Sequence, residues 1–337
     1  MWSLLTGVLL TMLASAPVRA EDAPPIPPEL APYLTDGAVP DGDYRWLRGR
    51  FPGASPAEGQ AFVAALKFGE ACLARSRAAM QAKMAALGQT WDPGNDITRM
   101  PAACNQFTQM PIGAGTDWPT FSAALDRVRP YALGLVRGVE LAEQEALGHG
   151  DFAQQLRARP TGEQMLRKAL IDSQRREGFS KDYSPLERAI HEGILIRALQ
   201  ERDQANTTWL AARVAEKGWP TRSTVGADAS GSAWLLVQHA DLDPAFQLAA
   251  LRLMTPLAAK GEVDPTNFAM LTDRVQLRVA GKQKYGTQWT CVAGKWTPRP
   301  LEQDAAATDT LRKTVGLDSL QQNAERIATA YGACPKG

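Results

Sequence analysis

Residues 184–199 read Ser184-Pro185-Leu186-Glu187-Arg188-Ala189-Ile190-His191-Glu192-Gly193-Ile194-Leu195-Ile196-Arg197-Ala198-Leu199. The first four combine a capping serine, a proline at the first helical position and a glutamate three residues after the cap, a set that satisfies free amide donors at a helix start. Behind them Leu186, Ile190, Ile194, Leu195 and Leu199 recur at helical spacing and form one apolar stripe. Arg188 with Glu192, and Glu187 with His191, are paired four residues apart, as on a solvated helix face. His191 therefore reads as structural, and the stretch predicts a long helix over 185–217.

Outward from this helix the same punctuation recurs. Ser55-Pro56-Ala57-Glu58 repeats the box, Thr161-Gly162-Glu163-Gln164 is a weaker copy, and Asp243-Pro244 and Asp264-Pro265 are aspartate caps followed by proline. These marks predict helices near 57–86, 118–147, 162–177, 227–239, 244–260, 265–275, 304–314 and 318–331. After 275 the helical period gives way to Gln276-Leu277-Arg278-Val279, with Gly281 as a turn. Tyr285 through Thr297, with Gly294 in its middle, reads as a small hairpin or meander of open register. The expected fold class is mainly α: a helical region over 46–200 and a helical domain over 201–337 carrying the hairpin. Residues 21–45 are rich in proline and read as an extended tether. His149, in Gly148-His149-Gly150, reads as a loop residue.

The whole chain has 337 residues, 45% hydrophobic and 22% charged, which excludes a disordered, collagenous or coiled-coil protein. Leu4 to Ala14 form a short apolar run ending in Val18-Arg19-Ala20, the pattern of a secretory signal cut before Glu21; an uncleaved anchor is the alternative. No later stretch approaches about 18 uninterrupted apolar residues, so the mature chain is expected to be soluble, periplasmic or secreted, and without a stable membrane span. Losing Arg19 reduces 37 basic residues to 36, against 36 acidic ones. A balanced charge without a basic cluster excludes a nucleic-acid partner held by bulk electrostatics.

Four cysteines in an exported chain read as two disulfides. Of three possible pairings the sequence-local one is favoured, Cys72 with Cys104 and Cys291 with Cys334; free buried thiols are the alternative. Each bond would add about 3 to 4 kcal/mol in the chain-entropy account.

Two places could carry chemistry. His239, in Gln238-His239-Ala240-Asp241, sits where one helix stops and a capped one starts. A carboxylate two residues on would orient its ring for general acid or base work. In the competing structural reading, His239 caps its own helix and Asp241 only makes a turn. The second place is Leu271-Thr272-Asp273-Arg274 with Gln283, Tyr285 and Gln288 in the following loop. Arg274 would clamp an anion there, and the amides and phenol would direct hydrogen bonds. Alternatively, Asp273 and Arg274 form an ion pair and the loop groups satisfy backbone.

The order Gly218-Trp219-Pro220, Val225-Gly226, Gln238-His239-Ala240-Asp241, Leu271-Thr272-Asp273-Arg274, Gln283-x-Tyr285-Gly286-Thr287-Gln288 and Val315-Gly316-Leu317 resembles a bacterial family of unknown function over about residues 200–325. The resemblance implies that His239, Asp241, Asp273, Arg274, Gln283, Tyr285 and Gln288 are positions of a shared pattern. It implies no activity.

Other chemistries lack their residues. A zinc site here would have to be rich in carboxylates, since no His-Glu-x-x-His occurs, and neither a nucleophile elbow nor a glycine-rich phosphate loop is present. Trp289 and Trp296 would offer a platform for a sugar or peptide, although a core role suits them better. No metal and no cofactor is expected. The expectation is thus a hydrolase-like enzyme in which His239, Asp241 and Asp273 act while Arg274, Gln283, Tyr285 and Gln288 hold a small-molecule or envelope-polymer ligand. The alternative is a non-catalytic periplasmic binding or assembly module.

Overall fold

A computed structural model describes residues 23–91, 102–107, 116–148 and 150–334. The expected signal and His149 lie outside the described residues. Residues 23–45 are not an extended tether. A 3-10 turn over Pro28–Tyr33 buries Leu30, and Val39 and Tyr44 enter the same core. Proline restricts backbone angles without removing the apolar surface of its neighbours, and that surface is buried. A second 3-10 turn, Arg45–Arg50, adds Trp46 and Leu47 to this core.

The helices then follow in order. Helix α1 spans Pro56–Ala86, α2 Ala102–Asn105 and α3 Trp118–Leu147; α4, Phe152–Ala158, and α5, Pro160–Gln174, meet at Arg159, which keeps helical angles while Pro160 interrupts the hydrogen-bond ladder. Helix α6 is Pro185–Lys217, opened by the capping box read from Ser184 and Glu187. Next come α7, Arg222–Val225, α8, Ala227–Gln238, and α9, Pro244–Ala258. Helix α10 runs Pro265–Ala280, past the expected end at 275. The alternation of Leu277 and Val279 is too short to form a strand without a partner. The helix continues instead until Gly281, at φ 70°, closes it in the left-handed region.

Strands β1, Trp289–Val292, and β2, Lys295–Pro298, form an antiparallel hairpin in which Val292 faces Lys295 and Cys291 faces Trp296. Ala293 and Gly294 both have positive φ, 48° and 79°, the turn that matches strand twist and sets the register the sequence left open. Helices α11, Ala305–Thr314, and α12, Leu320–Tyr331, complete the chain, and the fold is mainly α.

Among the described residues two large apolar cores form, and α1 and α6 run through both. At 31 and 33 residues they are on the order of 50 Å long. Ala61, Phe68 and Cys72 of α1, with Ile190 and Leu195 of α6, belong to the first core; Met80, Met84, Leu210 and Val214, from the same helices, belong to the second. Residue 200, expected as a boundary, thus lies inside α6. The end of α1 is tied to the start of α9 by Lys83 Nζ, 3.1 Å from Asp243 Oδ2. Cys72 bonds to Cys104 and Cys291 to Cys334, the sequence-local pairing. Among the described residues no helix is long and apolar enough to cross a membrane.

Candidate functional site

His239 is the residue that ends α8. Its N–H still donates to the Leu235 carbonyl at 3.1 Å, and its side chain is 16% exposed. Its carboxylate partner is not Asp241. Nδ1 lies 2.7 Å from Oε1 of Glu163, a fully buried residue of α5 and 76 positions away in the chain. Asp241 is held elsewhere, with Oδ1 accepting from Arg274 Nη1 at 2.6 Å and Arg278 Nη2 at 2.7 Å. The extra turn of α10 explains this. Residues 274 and 278 share one helix face, and both guanidiniums reach the same carboxylate.

Asp203 of α6 joins the histidine. One ligand atom from each of Glu163, Asp203 and His239 lies within 4.8 Å of the others. Arg167 Nη2 stands 2.6 Å from Asp203 Oδ2, and Gln164 donates to Glu163 Oε1 at 3.3 Å. The other oxygens, Glu163 Oε2 and Asp203 Oδ1, are buried and meet no donor among the described residues. Burial pushes the Glu163 carboxyl up and that of Asp203 well up. Burial, aided by the Arg167 charge, pushes the His239 imidazole down to about 3. Nearby, Arg159 donates to Asn206 Oδ1 at 3.1 Å and its guanidinium stacks 3.9 Å from the Trp209 ring centre, where burial pushes it down to about 10.

The second expected constellation is a separate network. Asp273, wholly buried, accepts the amides of Lys284, Tyr285 and Thr287, each at 2.8 Å. Burial pushes its carboxyl up, against the pull of those donors. Gln283 donates to the carbonyls of Gln288 and Arg299, at 2.8 and 2.9 Å, and its Oε1 accepts the Gln288 amide. Buried Arg312 donates to the Tyr285 carbonyl at 2.6 Å and also to the Asp318 carbonyl. Tyr285 packs with Ala269 and Leu317 in a small third core, while the Gln288 side chain donates to Thr287 Oγ1, at 3.2 Å. The expected single pocket is therefore divided. Successive residues on a helix point about 100° apart, so Asp273 grips the loop while Arg274 turns to Asp241.

Trp289 and Trp296 donate to the carbonyls of Gly286 and Gly332, at 2.8 and 3.0 Å. Arg167 and Asp203 carry no motif in the sequence, and Glu163, expected within a weak capping box opened by Thr161, instead meets His239 from inside α5, which starts at Pro160 without a side-chain cap. The available signal was polarity inside an apolar stripe: Glu163 precedes Leu166 and Leu170 at helical spacing, and Asp203 lies between Leu199 and Leu210.

A hollow of about 1050 Å³ lies between α3, α5 and the turn at Gly178–Ser180. Tyr131, Met165 and Phe179 line it, 59%, 43% and 83% exposed, and the two rings stack with centroids 6.5 Å apart. His191 also lines it, buried edge-on to Tyr183, with Nδ1 unpaired among the described residues.

No curated protein and no solved structure matches the chain. Residues 188–336, which carry most of α6 and all of α7 through α12, and hence His239, Asp241 and the Asp273 network, match the model of a family of unknown function, DUF6624.

Proposed function

We propose that the protein is an exported, non-catalytic binding module whose ligand is an aromatic-bearing small molecule seated in the hollow between α3 and α5. The observation that carries this reading is the convergence of Tyr131, Met165 and Phe179, three large exposed apolar side chains, on one concave surface. Scattered apolar residues on a surface need no explanation; a cluster lining a cavity of ligand size does. Two rings and a thioether favour an aromatic guest through stacking and sulfur contacts. The charged side chains of the wall are paired, Lys168 with Asp172 at 2.5 Å and Glu177 with Arg175 at 3.2 Å, which disfavours a strongly ionic ligand.

The polar groups around Asp241 and Asp273 support the same reading. Asp241 is gripped by two arginines, Asp273 by three amides, and Gln283 by three backbone groups, an arrangement suited to rigidity. Export rests on the leader-like residues 1–20 and on the two disulfides, which persist in oxidising compartments.

The test is titration with an environment-sensitive aromatic dye, followed by displacement with a panel of aromatic small molecules. Phe179→Ser and Tyr131→Ser should each weaken binding about tenfold, the equivalent of about 1.4 kcal/mol. Unchanged binding in both variants removes the hollow as the seat. Turnover of envelope esters, peptides or phosphoesters that is abolished in a folded His239→Ala protein restores the hydrolase. Recovery of the chain from the periplasm or medium with Glu21 at its amino terminus supports export.

A further inference from the structure

We propose that Glu163, Asp203 and His239 form a binding site for a divalent transition-metal ion of the zinc class, with water completing its shell. One ligand atom from each residue lies within 4.8 Å of the others, compact enough for small adjustments to place all three around one ion. The site spans three elements, α5, α6 and the end of α8, so an ion there would tie them together.

The observation that points to a ligand is the state of the two carboxylates. Glu163 is wholly buried, yet among the described residues its Oε2 meets no donor, and neither does the buried Oδ1 of Asp203. A buried carboxylate oxygen without a donor or cation is costly. Both oxygens belong to the residues whose ligand atoms converge with the imidazole, so one cation there would serve both.

The surroundings suit an ion with two carboxylates. Arg167 occupies only Oδ2 of Asp203, leaving Oδ1 for the metal, and Arg274 is engaged with Asp241. Gln164 donates to Glu163 Oε1, an outer contact that would orient a metal-binding carboxylate. The donor set selects the metal class. One imidazole with two carboxylates suits zinc and its neighbours, whereas calcium takes six to eight oxygens and magnesium keeps mostly water and oxygen ligands.

The test uses the full mature chain, stripped with chelator and dialysed. Zn²⁺ should raise its melting temperature while Mg²⁺ and Ca²⁺ leave it unchanged. Co²⁺ should give a visible absorption band that Zn²⁺ displaces. Glu163→Gln keeps the shape of the side chain and removes its charge, and Asp203→Asn does the same in α6; each should abolish both the band and the zinc shift. Absence of shift and band in the unaltered protein overturns the proposal, leaving two carboxyls that share a proton. Zinc binding that survives both substitutions overturns it equally, since the ion then sits elsewhere. Dye binding in the α3–α5 hollow provides a separate readout, distinguishing failure of this site from failure of the binding function.

Discussion

Gly49 lies against Glu58 so closely that a β-carbon at residue 49 would stand 2.1 Å from the Glu58 carbonyl oxygen. The obstacle is backbone in the first turns of α1, which cannot swing aside as a side chain would. This approach seats the Arg45–Arg50 turn on α1 and with it buries Trp46 and Leu47. Gly49→Ala should therefore destabilise the fold by about 1 to 3 kcal/mol, the range for overpacked sites. Urea unfolding of the two proteins measures it; an unchanged midpoint would show that the turn can shift without loss.

The two-armed grip on Asp241 predicts an asymmetry. Asp241→Ala leaves two half-buried guanidiniums without their shared acceptor, and should cost about 1.5 to 3 kcal/mol, as for hydrogen bonds to charged groups. Arg274→Ala should cost less, because Arg278 still holds both the carboxylate and the Asp241 carbonyl. Denaturant midpoints decide between this order and equal losses.

Asp273 predicts a local effect. Its carboxylate is the acceptor for the amides of Lys284, Tyr285 and Thr287. In Asp273→Ala these amides should exchange with solvent deuterium far faster, and stability should fall by about 1 to 3 kcal/mol for buried donors left unserved. The β1–β2 amides provide the internal comparison. Protection retained at all three loop amides would mean that Gln283 and Arg312 hold the loop without the carboxylate.

His191 predicts a pH dependence. Burial pushes its imidazole below the ordinary 6.5, so the folded protein refuses a proton that the unfolded chain accepts. The stability this group contributes is full above about pH 6.5 and is lost as pH falls below it, at no more than about 1.4 kcal/mol per pH unit. The packed neighbour, Tyr183, meets the ring edge-on at 5.4 Å and supplies no charge at these pH values. Melting curves of the unaltered protein and His191→Gln should differ most near pH 7.5 and converge toward pH 5. A constant difference would show that His191 is not the group responsible.

Local grammar explains what could be read from the chain alone. Ser55 and Ser184 open their helices with the boxes written in the sequence, and the local cysteine pairs close as their spacing suggests. The structural alternative for the second constellation was legible in part, since Gln283 does satisfy loop backbone, whereas the Tyr285 ring packs in the third core. Asp273 satisfies backbone as well, rather than pairing with Arg274. What failed depends on distance along the chain. Nothing near His239 announces Glu163, because their meeting requires α5 and α8 to pack first. The end of α10 was misread for a different reason. Leu277 and Val279 alternate as in a strand, but the extra helical turn lets Arg278 reach Asp241, a tertiary contact that local preference does not include.

The passage of α1 and α6 through both cores bears on how the molecule comes apart. A fragment trimmed to residues 188–336 would keep Ile190, Ile194, Leu195 and Leu199 while losing the partners that cover them, and so would expose a greasy flank prone to self-association. Two halves that share their longest rods cannot melt in turn, since loosening either one frays the spine of the other. Calorimetry of the intact chain should record a single heat-absorption peak.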